Sequence, residues 1–212
     1  MNIHRIYGAI SPWFRKSRME RFRTLVRPFA GERLLDVGGT PHFWEHTGGS
    51  VPQITLLNLP GKGQTTRATS HAGVEGDGCA LPFPDQSFEI IFSNSVIEHV
   101  GTWERQEAFA QEARRVGQRL WVQTPAREFP IEPHVIAPFF HWLPRHWQRR
   151  LMRNFTLRGW LERPDEATVE AFLKEVRLIS HEEMKRLFPD CVILRERFLG
   201  LTKSYIAVRL KP

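Results

Sequence analysis

Hydrophobic positions along this chain change period repeatedly, and each change marks an element. Phe22, Leu25, Val26 and Phe29 recur at i, i+3, i+4 and i+7, the spacing of a helix with one buried face. Ser11-Pro12 reads as an N-cap followed by proline at the first helical position. Arg33 to Val37 and Ile54 to Leu59 are short apolar runs that predict strands, and "FEIIFSN" and "RLWVQT" predict two more. Between these last two, helix 103 to 116 places Phe109, Ala113 and Val116 inward and ends at Gly117, a residue suited to a helix C-terminus. Val169, Phe172, Leu173 and Val176 mark another helix, and Ser180 with Glu183 forms a capping box that opens one more. The last twenty residues read as two strands around a glycine-containing turn, an antiparallel hairpin.

Strand and helix periods therefore alternate, which predicts an α/β fold: a doubly wound, largely parallel sheet. Two stretches resist the pattern. "PGKGQTTRATSHAGVEGDG" is polar and glycine-rich, lacks the phosphate-loop spacing, and reads as a loop with at most a short element. Positions 125 to 160 hold five prolines and many aromatics and show no period until Pro144. From there Trp147, Leu151 and Phe155 fall at i, i+4 and i+8, with Arg145, Arg149 and Arg153 on another side.

Composition narrows the class. With 212 residues, 41% hydrophobic and 25% charged, the chain suits one well-cored domain spanning 1–212, with a basic helix in 1–30 and an acceptor-side insertion at 125–160. No apolar run reaches membrane-spanning length, and the first twenty residues lack the pattern of a secretory signal. Cys79 and Cys191 make no disulfide framework, so a cytoplasmic location is expected, with peripheral contact at a membrane open. A net charge of +7 favours anionic partners.

Chemistry concentrates at strand ends. "LLDVGGTPHFW" stops a strand on Gly38-Gly39, then sets Thr40, Pro41 and the bulky Phe43-Trp44 where a helix begins. The second strand ends at Asn58, and "GDGCALPFPDQSFEIIFSNSVIEHV" brackets the next landmark. In open parallel sheets, ligands bind beyond the carboxyl ends of the strands, where strand order reverses. Glycines there let a backbone approach a ligand, and polar side chains can take hydroxyls and exocyclic amines.

These phrases, and the helix and strand that follow, resemble a class I S-adenosylmethionine-dependent methyltransferase of the small type 11, UbiE-like kind. The resemblance covers roughly positions 30 to 125. It implies a Rossmann-like seven-stranded sheet whose last strand is antiparallel, and S-adenosyl-L-methionine as cofactor. Carried over, Asp36, Gly38 and Gly39 shape the loop under the methionine part. Asn58 and Leu59 lie at the ribose and the adenine face, Asp77, Gly78 and Cys79 (through its N–H) address the adenine, and Asn94 with Ser95 lies at the methionine end. The chain departs from the family's D-x-G-x-G-x-G pattern at Thr40, Pro41 and His42, and from its acidic ribose residue at Asn58. A remade rim is the expected answer: Thr40 toward the cofactor carboxylate, Pro41 starting a helix, Phe43 and Trp44 packing behind.

For an acceptor-side base the residues are Glu98, His99, Glu132 and His134, with His134 favoured and held by Pro130 and Pro133. The spacing of His134, His141 and His146 fits no zinc motif, so no metal is expected. Cys79 reads as a packed residue rather than a nucleophile. The acceptor is expected to be a small molecule or a lipid- or glycan-linked group. The aromatic, arginine-bearing helix suits an anionic membrane surface, a single-stranded nucleic-acid platform or a lid on the sheet. Two rival functions remain: a cofactor-binding scaffold without catalysis and, on charge alone, an RNA methyltransferase. A nicotinamide enzyme is disfavoured by the missing G-x-G-x-x-G.

Overall fold

The computed structural model describes residues 3–45, 53–61 and 71–210, with the side chains of 3–14 and of residue 45 left out. Seven strands form one sheet: β1 (Arg33–Val37), β2 (Gln53–Asn58), β3 (Ala72–Glu75), β4 (Phe88–Asn94), β5 (Gly117–Pro125), β8 (Val192–Phe198) and β9 (Leu201–Arg209). Their order is β3-β2-β1-β4-β5-β9-β8. β1 to β5 run parallel, and β9 is antiparallel to both neighbours. Strand order reverses between β1 and β4, which sets the switch point at the carboxyl ends of those strands. The expected doubly wound, Rossmann-like sheet with a terminal antiparallel hairpin is the fold observed.

Alternation within each strand sorts the core onto two faces. Leu34, Ile90, Phe92 and Trp121 point to one, where Met19, Phe22 and Val26 of α1 (Ile3–Val26) and Trp44 of α2 (Pro41–Glu45) cover them. Leu35, Val37, Ile91, Leu120 and Val122 point to the other, against Phe109, Ala113 and Val116 of α3 (Trp103–Val116) and Met184 and Leu187 of α7 (His181–Leu187). Strands buried on both faces read as continuous apolar runs, which is why β1, β4 and β5 were legible.

Two details, in α1 and at Gly117, differ from the reading of the sequence, and β3 supplies the short element that the polar loop allowed. α1 runs through Ser11-Pro12 rather than starting there, and it stops at Val26, where Arg27 turns left-handed (φ 50°). Phe29 therefore falls outside the helix and is exposed, as Leu25 is within it. Gly117 is extended, not left-handed, and opens β5 directly. Glycine is required there because a Cβ would stand 2.2 Å from Ile91 Cγ1. β3 occupies the end of the polar loop; positions 62–70 of that loop lie outside the described residues.

The 125–160 stretch carries its own short elements: a two-residue hairpin of β6 (Ile131–Glu132) and β7 (Ala137–Pro138), then α4 (Arg145–Phe155) and α5 (Leu157–Glu162). With α6 (Glu166–Glu175) they build a separate small core of Val135, Ala137, Phe140, Met152, Val169 and Leu173. Of the Trp147-Leu151-Phe155 stripe of α4, Leu151 packs against this core while Trp147 and Phe155 are exposed. Gln148 and Met152 are buried, whereas Phe155 is 70% exposed. The aromatics look outward because the small core draws its apolar side chains from Leu151 and Met152.

Candidate functional site at the switch point

The β1 turn combines two backbone constraints. Gly38 has φ +80°, a left-handed conformation that favours glycine, and is open to solvent. A Cβ on Gly39 would stand 1.9 Å from Asp36 Oδ2. Asp36 itself is buried, and the Trp44 indole N–H donates to its Oδ2 at 2.7 Å. Burial pushes the Asp36 carboxyl up to about 7, and the Trp44 bond only partly offsets this. Asp36 thus shapes the rim from behind by anchoring Trp44. Pro41 opens α2 as expected, the exposed Thr40 carbonyl accepts from Phe43 N–H at 3.1 Å, and Phe43 packs edge-on to Trp44.

At the end of β2, Asn58 Nδ2 donates to the Gly39 carbonyl at 3.0 Å, tying two strand ends together, and Leu59 beyond it is 49% exposed. After β3, the Asp77 carboxylate takes the Cys79 N–H at 2.9 Å on one oxygen and Arg105 at 2.9 Å on the other. Burial alone would raise Asp77, but these donors outweigh it and hold the carboxyl below its ordinary value. The Cys79 N–H, expected to face an adenine, is thus engaged within its own turn. Burial, with Asp77 beside it, pushes the Cys79 thiol up to about 11, so it stays protonated and is no nucleophile. Gly78 packs so tightly that a Cβ would meet Val37 and Phe109 at 2.9 Å.

At β4, Ser95 is left-handed (φ 60°), and its N–H and hydroxyl both donate to Gln123, at 3.0 Å each. Arg18 of α1 reaches in from the other side. It donates to Asn94 Oδ1, to Gln123 Oε1 at 2.8 Å, and to Glu196 of β8 through two nitrogens. Burial would raise the Glu196 carboxyl, but the Arg18 guanidinium prevails and holds it low. Sequence reasoning missed Arg18, Gln123 and Glu196. The signal for Arg18 was present: it lies four residues before Phe22 and eight before Val26, on the helix face that packs.

Beyond these strand ends the four residues expected on the acceptor side meet. A 3₁₀ turn, Ile97–His99, places Glu98 at 0% exposure, where Thr124 Oγ1 donates to its Oε2 at 3.0 Å. Glu132, also buried, receives His134 Nδ1–H at 2.6 Å and the Val135 N–H at 2.8 Å. The His99 and His134 rings stand perpendicular with centroids 4.7 Å apart, and His99 Nδ1 reaches Glu175 at 3.2 Å. Burial would lower His134, but the bond to Glu132 outweighs it and raises the imidazole above its ordinary value. His141 lies apart from this group, its Nε2 on the Arg127 carbonyl at 2.8 Å, and His146 stacks near Trp147. A cavity of about 480 Å³ adjoins the group, lined by Glu132, Phe140, Arg127, Arg145 and Arg177 among others.

Comparison with known proteins agrees with the fold. A methyltransferase-domain family model matches residues 44–119. An uncharacterized methyltransferase of Mycolicibacterium paratuberculosis is 38% identical over 77 residues, 34% of this chain and 30% of that relative, so the match spans about a third of its length. Solved structures share the fold at low identity. A Haloferax volcanii protein solved in complex with a methyltransferase activator superposes with a TM-score of 0.55 at 11% identity, covering 95% of both chains. The PH0226 protein of Pyrococcus horikoshii gives 0.54 at 13%, covering 91% and 89%. A Rhodobacter sphaeroides protein described as a zinc-dependent alcohol dehydrogenase gives 0.56 at 12%, covering 90% and 87%. Identities this low speak for the fold alone. Sheet order and matched segment agree on the class: the fold is the Rossmann-like fold of methyltransferases, and residues 44–119 match a methyltransferase domain.

Proposed function

We propose that this chain transfers a methyl group from S-adenosyl-L-methionine to a small-molecule, glycan- or lipid-linked acceptor. The observation that carries the reading is the convergence, at one switch point, of Gly38–Thr40, Asn58–Leu59, Asp77–Cys79 and Asn94–Ser95, with Glu98, His99, Glu132 and His134 just beyond. The residues fit the cofactor in their backbone. Gly38 is open and left-handed, and the exposed Leu59 offers an apolar surface for an adenine. In this reading Gly38, Gly39 and Thr40 hold the methionine part, with Asn94 and Ser95 beside it and Arg18 fixing Asn94. Asn58 serves the ribose, and Asp77 and Gly78 shape the adenine wall.

When bound, the cofactor supplies an activated methyl group on a sulfonium and a neutral thioether leaving group. The chain supplies alignment, which in favourable geometry contributes about 7–11 kcal/mol. It also supplies a proton acceptor: Glu132 fixes the proton of neutral His134 on Nδ1, leaving the Nε2 lone pair for an acceptor proton. His99 packs against that ring and orients it.

Calorimetric titration with S-adenosylhomocysteine tests the reading. We expect micromolar-range binding, lost in Leu59→Asp, whose side chain is exposed and whose change leaves the fold intact. One observation favours a second reading, a scaffold that binds partners without catalysis. Asn58 and the Cys79 N–H, the donors a cofactor uses, are engaged internally. Absence of binding by a folded chain would select it.

The α4–α5 surface supports peripheral contact with anionic membrane. Trp147, Phe155 and Trp160 are exposed beside Arg145, Arg150 and Arg153. Among the described residues no helix is long and apolar enough to cross a membrane. Co-sedimentation with anionic vesicles at low salt is expected for the wild type and lost in Phe155→Ser/Trp160→Ser. Equal sedimentation of both would refute the contact.

A further inference from the structure

We propose that Glu98, His99 and His134 bind one divalent transition-metal ion of the zinc type at the acceptor end of the cleft. The site stands on its own geometry; only what the ion does for an acceptor rests on the methyltransferase reading. One ligand atom from each of the three residues lies within 4.8 Å of the other two. They come from distant parts of the chain: Glu98 and His99 follow β4, and His134 follows β5 between β6 and β7. The histidine spacing that argued against a metal concerned His134, His141 and His146. The fold assembles a different trio.

Each ligand is held from behind by a second group and left open in front. Carboxylates only accept hydrogen bonds at neutral pH, so contact with Glu132 (2.6 Å) fixes the proton of neutral His134 on Nδ1. Contact with Glu175 (3.2 Å) does the same for His99. Both rings then present Nε2 lone pairs, and carboxylate–histidine–metal is a recurrent support for metal ligation. Glu98 repeats the arrangement. Its Oε2 is engaged by Thr124, while its Oε1, at 0% residue exposure, has no hydrogen-bond partner among the described residues. A buried polar atom without a partner calls for an explanation, and a cation shared with two imidazoles provides one. Glu98 is also fixed through its backbone, where its carbonyl accepts from Arg177 N–H at 2.8 Å.

The donor set selects the ion. Two imidazoles and one carboxylate suit zinc and its transition-metal neighbours, whereas calcium and magnesium prefer oxygen ligands. In a tetrahedral site, ligand atoms about 2.1 Å from the ion stand about 3.4 Å apart, so a cluster whose ligand atoms lie within 4.8 Å of one another closes by up to about 1.4 Å on binding. His99, with a side chain one-third exposed, has room to make that movement. Three protein ligands leave positions open, the mark of a site that also takes water or substrate. There the acceptor's oxygen or nitrogen would coordinate and release its proton to water more readily, and the His134 lone pair would be committed to the ion instead of to that proton.

The test uses the tag-free full chain, stripped with chelator and titrated with Co²⁺ while the visible ligand-field band is followed, then back-titrated with Zn²⁺. The expected result is one Co²⁺ per chain, displaced by one Zn²⁺. His99→Ala and His134→Ala should abolish the band, Glu175→Gln should weaken binding about 10-fold, and His141→Ala should bind as the wild type does. His99→Ala changes a partly exposed side chain, so its fold, checked by circular dichroism, guards against misreading a folding defect. No band in the wild type, or equal uptake by the wild type and a folded His99→Ala, overturns the proposal. S-adenosylhomocysteine titration of the same samples separates failure of the metal site from failure of the methyltransferase reading.

Discussion

The two ends of the cleft are built by different rules. The rim proposed for the cofactor sits directly on the parallel strands, and its parts are chiefly backbone: glycines at Gly38, Gly39 and Gly78 where a Cβ would collide within 3 Å, with the Asn58 and Asp77 side chains bonded to neighbouring backbone. The end proposed for the acceptor joins the turn after β4 to an excursion with its own small core, and its parts are side chains held by other side chains: Glu132 under His134, Glu175 under His99, Thr124 under Glu98. A site made of backbone tolerates almost no substitution, because nothing can rotate away. A site made of side chains can be altered one group at a time.

The comparison breaks most sharply at Gly39. A Cβ there lies 1.9 Å from a carboxylate pinned by Trp44. Gly39→Ala is expected to cost about 3 kcal/mol and to eliminate S-adenosylhomocysteine binding, as read by denaturant titration and calorimetry. Gly159→Ala is its counterpart on the other side. Its Cβ would stand 2.0 Å from the Met152 carbonyl at the α4–α5 joint. We expect a loss of about 2 kcal/mol, seen as faster proteolysis within 145–162, with cofactor affinity unchanged. If Gly159→Ala weakened the cofactor as much as Gly39→Ala, the two ends would be one unit and the comparison would fail.

Asp36→Asn sharpens the rim by pH. The folded Asp36 carboxyl sits at about 7, above an unfolded value near ~3.9. Stability from this group is therefore complete below pH ~4 and falls as pH rises through about 7. Asn keeps an acceptor for Trp44 and removes the charge. The variant should gain on the order of 4 kcal/mol at pH 8 and nothing below pH ~4, measured by unfolding at both values. Ser180→Ala, which removes the capping box of α7 far from either end, should cost about 1 kcal/mol without moving cofactor affinity. That sets the size of a purely structural change.

How much of the site could be read beforehand follows from the same division. β1, β4 and β5 are buried on both faces, so their apolar runs announced them, and strand ends locate a switch-point ligand without any side-chain geometry. The expected jobs of single residues changed once packing was known. Asp36 anchors Trp44 from inside the core, the Cys79 N–H is taken by Asp77, and the arginine that reaches Asn94 comes from α1. The outward aromatics of α4 were visible as a period, but their direction depends on a small core whose members, Val135, Met152 and Leu173, are far apart along the chain.

The sequence by itself determined the alternation of elements, the glycine turns and the strand-end chemistry, because periodicity and backbone freedom are local properties written within a few residues. Only the tertiary structure decided which side chains share a site. Glu98, His99 and His134, or Arg18, Asn94 and Glu196, meet across dozens to well over a hundred residues, and such encounters depend on how the layers close rather than on any spacing along the chain.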